Sequence, residues 1–191
     1  MTLPLGLYVH WPYCARICPY CDFNVVRDRG RKVEQAQLVE AILTDMRTQA
    51  DLTGPRPLVS IFFGGGTPSL MEPDAVASII AEAKILWPSQ GALEISLEAN
   101  PTDAERDRFE GFAKAGVERL SLGLQSLNDA SLKLLGRNHR ADEALRAART
   151  RAASGPGQRA SSPCSASSIA MRSSRMARCT AAASPRCEKS A

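Results

Sequence analysis

Three cysteines near the start of the chain, Cys14, Cys18 and Cys21 in the segment CARICPYC, have the types and spacing to do chemistry. Thiolates are the usual ligands of iron–sulfur clusters. Three of them from one short loop can hold three irons of a [4Fe–4S] cubane and leave the fourth iron open. An open coordination position is where a substrate or cofactor binds a metal centre. The competing reading is a structural zinc site completed by His10 or Asp22. Zinc sites usually pair their cysteines in two separated halves, which this loop does not do, so the spacing favours a cluster.

Other candidates follow along the chain. Gly64-Gly65-Gly66-Thr67-Pro68 permits close backbone approach and offers main-chain groups to a ligand. No Gly-Lys-Ser/Thr follows, so it is not a phosphate loop. From the glycines alone, an ordinary tight turn explains it as well. Glu98 in LEANP can accept hydrogen bonds from a bound ligand, or be a solvated strand-end carboxylate. Gln125 in SLGLQS is an amide after an apolar run, and Arg137 in LLGRNH can pair with a carboxylate or stay solvated. His10 and His139 carry no assigned role: His10 can pack beside the cysteine loop, and His139 is expected at the surface. No catalytic residue is assigned.

These residues need a frame that brings them together. Leu5 to His10 is a short apolar strand leading into the cysteine loop. Residues 32–50 have helical spacing, with Val39, Ile42, Leu43 and Met46 on one face. Pro57 to Phe63 reads as a buried strand stopped by the glycines. Pro73 to Trp87 is a helix with Val76, Ile79, Ile80, Ala83 and Trp87 on one face. Ala92 to Glu98 is a third strand, ended by Asn100-Pro101. Thr102 with Glu105 has the capping-box pattern of a helix start, Phe109, Phe112 and Ala113 face that helix's core side, and Gly116 stops it. Val117 to Gly123 is a fourth strand, with helices near 129–135 and from Ala141. Strands separated by helices imply parallel pairing and right-handed crossovers. The apolar runs suggest strands covered on both faces. Periodicity does not separate a barrel from an open sheet. In a barrel, the cysteine loop, the glycines, Glu98 and Gln125 would all meet on one rim, past the C-terminal strand ends.

Composition bounds the rest. The chain has 191 residues, 44% of them apolar, enough for one domain and its core. No stretch approaches the roughly 20 apolar residues that span a bilayer. No signal-peptide pattern opens the chain, and a cytoplasmic protein is the expectation. From Arg151 to Ala191 there are seven basic residues and one acidic, so the +4 net charge of the chain leaves residues 1–150 near −2. That excludes a basic nucleic-acid surface on residues 1–150. The tail holds ten Ser and ten Ala but no Leu, Val, Phe, Tyr or Trp. It cannot bury enough apolar surface to offset its ordering entropy. The domain boundary is therefore set at 150, with residues 151–191 a disordered tail or an off-frame translation. The second is favoured because the βα pattern stops in mid-course.

Taken together, YVHWPYCARICPYCDF and GGGTPS resemble the radical S-adenosylmethionine (SAM) superfamily. The fold implied is α/β: the N-terminal (β/α)4 portion of a partial TIM-type barrel. The resemblance implies a [4Fe–4S] cluster on Cys14, Cys18 and Cys21, whose open iron is chelated by SAM, and one-electron cleavage of SAM to a 5′-deoxyadenosyl radical. It assigns Gly65, Gly66 and Thr67 to the SAM amino group, and Glu98, Gln125 and Arg137 to SAM binding. It places Tyr8 and Tyr20 beside cluster and cofactor. GLYVHWPYCARICPYCDFN, IFFGGGTPSL, LEANP and GVERLSLGLQSLNDASLKLLGRNH resemble more narrowly the oxygen-independent coproporphyrinogen III oxidase group. Its oxidases typically carry a fourth cysteine where this chain has Phe23, and the CDFN form is similar to the HemW-type heme chaperones. The partners implied are heme or a porphyrinogen, a heme-acceptor protein and an electron donor. A true oxidase and a zinc-binding interaction module are the alternatives. An open barrel would expose an unpaired strand edge, so the chain is expected to be a poorly soluble, inactive fragment.

Overall fold

A computed structural model describes residues 3–102, 108–150, 169–172 and 180–181. Strand β1 (Leu5–Trp11) pairs in parallel with β4 (Leu58–Gly65), β4 with β5 (Glu94–Ala99), and β5 with β6 (Arg119–Leu122). Helix α1 (Lys32–Thr53) connects β1 to β4, α2 (Pro73–Leu86) connects β4 to β5, and α3 (Phe109–Lys114) lies between β5 and β6. Helices α4 (Asp129–Leu134) and α5 (Ala141–Thr150) follow. Each new parallel strand joins the same edge of the sheet, the order of a barrel arc rather than of a doubly wound sheet.

The helices form where the apolar spacing predicts. On α2, Val76, Ile79, Ile80 and Ala83 are buried, and Trp87 just beyond it is 1% exposed. On α1, Val39 and Met46 are buried while Ile42 and Leu43 are partly buried against the same core. The two helices pack on each other, and Arg47 pairs with Glu82 across them at 2.7 Å. Trp87 Nε1 donates to Thr53 Oγ1 at 3.0 Å, so the buried indole keeps its hydrogen bond. The core beneath these helices is Ile61 and Phe63 of β4, Ile95 and Leu97 of β5, and Leu120 and Leu122 of β6. Gly116 takes a φ of 104° and stops the stretch containing Phe109 and Phe112, as expected. The capping pattern at Thr102–Glu105 falls largely on residues 103–107, outside the described residues.

Two features differ from the expectation. The strands are not covered alike on both faces. Val9 and Trp11 are buried in the core while Tyr8 is 54% exposed, because successive strand side chains point to opposite sides. The second face is largely polar: Arg119 pairs with Glu94 at 2.8 Å and donates through Nε to Ser96 Oγ at 2.9 Å. The runs of apolar residues hid this alternation. Strand β4 also continues through Gly64 and Gly65 rather than stopping before them, since both pair with β1.

The expectation of a disordered tail falls mostly outside the described residues. The exception is two short strands, β7 (Ile169–Arg172) antiparallel to β6 and β8 (Thr180–Ala181) antiparallel to β7. An open strand edge offers unpaired N–H and C=O groups to a neighbouring backbone whatever its side chains. The edge of β6 is thus occupied where an unpaired one was expected. Among the described residues no helix is long and apolar enough to cross a membrane.

Candidate functional site

The cysteine loop runs from the end of β1 and is tied down by backbone. A two-residue parallel bridge, β2 (Tyr13–Cys14) with β3 (Val26–Arg27), closes it. Val26 N–H donates to Pro12 O at 2.8 Å and Asp28 N–H to Cys14 O at 2.7 Å. Inside the loop, Cys21 N–H donates to Cys18 O at 3.0 Å. His10 Nε2 lies 2.9 Å from Asn24 O. A carbonyl only accepts, so Nε2 carries the proton and Nδ1 accepts from the Tyr8 hydroxyl at 3.3 Å. His10 therefore fastens the strand to the far side of the loop.

The glycine segment seats that loop. Gly66 N–H donates to Trp11 O at 2.7 Å and Thr67 N–H to Tyr13 O at 2.8 Å. Gly65 N–H donates to the Glu98 carboxylate. These N–H groups, expected to be free for a ligand, are already engaged. Room is also short: a Cβ on Gly66 would lie 2.7 Å from Tyr13 O and 2.9 Å from Cys14 Sγ. Gly65 has a φ of 111°, and a Cβ there would meet the His10 ring at 2.7 Å. Gly66 is thus required by the approach of the cysteine loop, and Gly65 by its positive φ and by the end of β1 beside it.

One cavity opens at the C-terminal ends of the strands. Cys14, Cys18, Cys21 and Tyr20 line it from the loop, with Gly65, Gly66 and Thr67 from the end of β4. Glu98 lines it from β5, and Gln125 and Arg137 from the segments after β6. Ten of the eleven residues singled out from the sequence thus share one space. Tyr8 is outside the lining: it sits exposed on the polar face of the sheet, stacked on Phe62 with ring centroids 6.1 Å apart. Asn100, Ser121, Gly123 and Arg16 also line the cavity without a functional signal in the sequence, and so does Phe23, which the sequence marks only as the residue in the fourth-cysteine position. In the sequence, Asn100 signals only a strand stop.

The electrostatics favour a ligand with positive charge near Glu98. Burial raises the Glu98 pKa above the usual carboxylate value, opposed by the Gly65 N–H. Burial also raises the Cys14 thiol; a hydrogen bond from Thr67 opposes it, and the Cys21 and Cys18 thiols add to it. The Tyr20 phenol is raised chiefly by burial. Gln125 has a φ of 57°, the one positive value at a non-glycine residue among those described. Such strain marks functional sites. His139 is not at the surface as expected: it is 4% exposed, and its Nε2 donates to Leu124 O at 3.2 Å. Burial and then the Arg137 charge lower its pKa.

The donor set fits a cluster with a polar ligand. Cys14, Cys18 and Cys21 are all free thiols. Gln125 Oε1 and Arg137 Nε are buried without a protein partner, and both residues line the cavity. A ligand with its own donors and acceptors would satisfy them. Among the described residues no three His, Cys, Asp or Glu side chains are arranged to hold a single metal ion. A cubane is several atoms across and binds each thiolate through a different iron, so it suits thiols set around a cavity.

The sequence matches the model of the radical SAM superfamily over residues 8–156. The chain belongs to the radical SAM superfamily. It is 48% identical over 143 residues to the mouse protein Radical S-adenosyl methionine domain-containing protein 1, mitochondrial, covering 74% of this chain and 31% of that one. It is 42% identical over 156 residues to the heme chaperone HemW of Escherichia coli, covering 82% of this chain and 40% of HemW. HemW of Haemophilus influenzae is 43% identical over 144 residues, covering 74% of this chain and 38% of that protein. The solved coproporphyrinogen III oxidase HemN of E. coli, described as a radical SAM enzyme, superposes with a TM-score of 0.68 at 27% identity, over 78% of this chain and 35% of HemN. The chain thus spans about a third to two fifths of the length of the curated relatives it matches. Radical SAM domains in general use SAM and a [4Fe–4S] cluster.

Proposed function

We propose that Cys14, Cys18 and Cys21 hold the [4Fe–4S] cluster of this radical SAM protein, and that SAM fills the cavity beside it. The observation that carries this reading is the convergence of the three thiols with Glu98, Gln125 and Arg137 on one cavity containing two orphaned polar atoms. Glu98 would face the cationic part of SAM. Gln125 and Arg137 would take its polar groups, and the end of β4 at Gly65–Thr67 would fix its position against the cysteine loop. Tyr20, half exposed at the mouth, would shield the cluster from water. When bound, the cluster and SAM supply one-electron chemistry; the chain's own residues bind, orient and exclude solvent.

We place the chain in the heme-chaperone branch. Phe23 stands where oxidases typically carry a fourth cysteine, and two of the relatives are named heme chaperones. Heme would then be the cargo, delivered to an acceptor protein. Two measurements test these readings on the anaerobically reconstituted chain. Adding SAM should change the electron paramagnetic resonance spectrum of the reduced cluster, and Glu98→Gln should raise the SAM concentration needed by about tenfold or more. Heme should bind stoichiometrically with a Soret shift. Decarboxylation of coproporphyrinogen III would instead assign the oxidase branch, and a spectrum indifferent to SAM would overturn the site.

A further inference from the structure

A chain of side-chain hydrogen bonds joins two of the three thiols across three strand ends. Arg137 donates through Nη1 to Cys18 Sγ at 3.5 Å. Its Nη2 donates to Asn100 Oδ1 at 2.8 Å and to Gly123 O at 2.9 Å. Asn100 Nδ2 donates to Thr67 Oγ1 at 3.4 Å. A guanidinium can only donate, so the amide oxygen of Asn100 must face Arg137 and its NH2 must face Thr67. With its oxygen accepting from Asn100, the Thr67 hydroxyl keeps its single proton for the hydrogen bond to Cys14. Thr67 is 4% exposed, and Asn100 sits half-buried directly past the end of β5.

We infer that Asn100 is a positioning residue: it holds the Thr67 hydroxyl against Cys14 and the Arg137 guanidinium against Cys18, so that one amide sets hydrogen bonding to two cluster ligands. The inference rests on the reading that these thiols ligate the cluster. It gives Arg137 a role at the cluster in addition to any contact with SAM. Hydrogen bonds to ligand sulfurs stabilise the more negative, reduced state and raise the reduction potential. Loss of Asn100 loosens both donors, because the guanidinium keeps only the Gly123 carbonyl as its lateral partner and the threonine hydroxyl can rotate away.

The test is a spectroscopically monitored redox titration of the full 191-residue chain, reconstituted anaerobically and without SAM, so that cofactor binding does not enter. Asn100→Ala should keep its iron but titrate lower, with about tenfold less reduced cluster at a fixed potential, which is about 59 mV for one electron. Thr67→Val should shift in the same direction. The double variant with Asn100→Ala should shift by less than the two single changes added together. If Asn100→Ala sheds its iron, Asn100→Asp carries the test. It keeps an acceptor for Arg137 but draws the Thr67 hydroxyl to itself, so adding Thr67→Val to it should change nothing further. An iron-replete Asn100→Ala chain at the wild-type potential, or full additivity with Thr67→Val, overturns the inference alone. A wild-type chain that takes up no iron overturns the cluster reading, and the inference with it.

Discussion

At the residue scale, the site depends on close approach more than on any single strong bond. Gly66 is hemmed in by Tyr13 O, Pro12 O and Cys14 Sγ, the last two at 2.8 and 2.9 Å from where a Cβ would stand. Gly66→Ala must push the cysteine loop outward. It should cost about 1–3 kcal/mol of stability, by analogy with overpacked cores. Iron uptake should fall with it, measured by thermal melting and iron analysis on the same samples. His139 shows a second dependence at this scale. Its folded pKa lies below the ordinary 6.5, through burial and then the Arg137 charge. The unfolded chain therefore takes up a proton that the folded chain refuses as pH falls below about 6.5. Stability contributed by neutral His139 is intact above that value and lost on acidification toward the depressed one. His139→Gln keeps an N–H for Leu124 O without the titration, so its melting temperature should fall less between pH 7 and pH 5.5 than that of the wild type.

At the element scale, much was legible because helix faces and strand ends leave a pattern in the sequence. The spacing from Val76 to Trp87 predicts the buried face of α2, and all five residues are buried. Trp87→Ala should cost about 3–5 kcal/mol, read from chemical denaturation, since the site lies in the core beyond α2 and cannot readily collapse. The strand ends were legible too, as punctuation: the cysteine loop, the glycines, Asn100-Pro101 and the stop after Gly123. What punctuation cannot show is which ends touch. Asn100 reads as a strand stop, and only folding sets its amide between Arg137 and Thr67. His139 follows a turn with no periodicity, so nothing in the sequence announces its burial. The engagement of the Gly66 and Thr67 N–H groups depends on the path of a loop some fifty residues earlier. The resemblance puts Tyr8 beside the cofactor; its strand parity sets it on the same polar face as Glu98, whose charge reaches it, though Tyr8 itself is not part of the cavity lining.

At the scale of the whole molecule, the parallel strands add one after another in the order of a barrel arc, and the cavity opens at their C-terminal ends. That geometry gathers side chains from residue 14 to residue 137 without long-range sequence signals. The radical SAM superfamily match and the superposition on HemN agree with this arc. The central claim is that three thiols of one loop carry a cubane. Anaerobic reconstitution with iron and sulfide, followed by iron analysis of the wild type and of the Cys14→Ser, Cys18→Ser, Cys21→Ser triple variant, tests it most directly. About four irons per wild-type chain and none in the variant is the predicted result. Equal iron in both, or none in either, would contradict it.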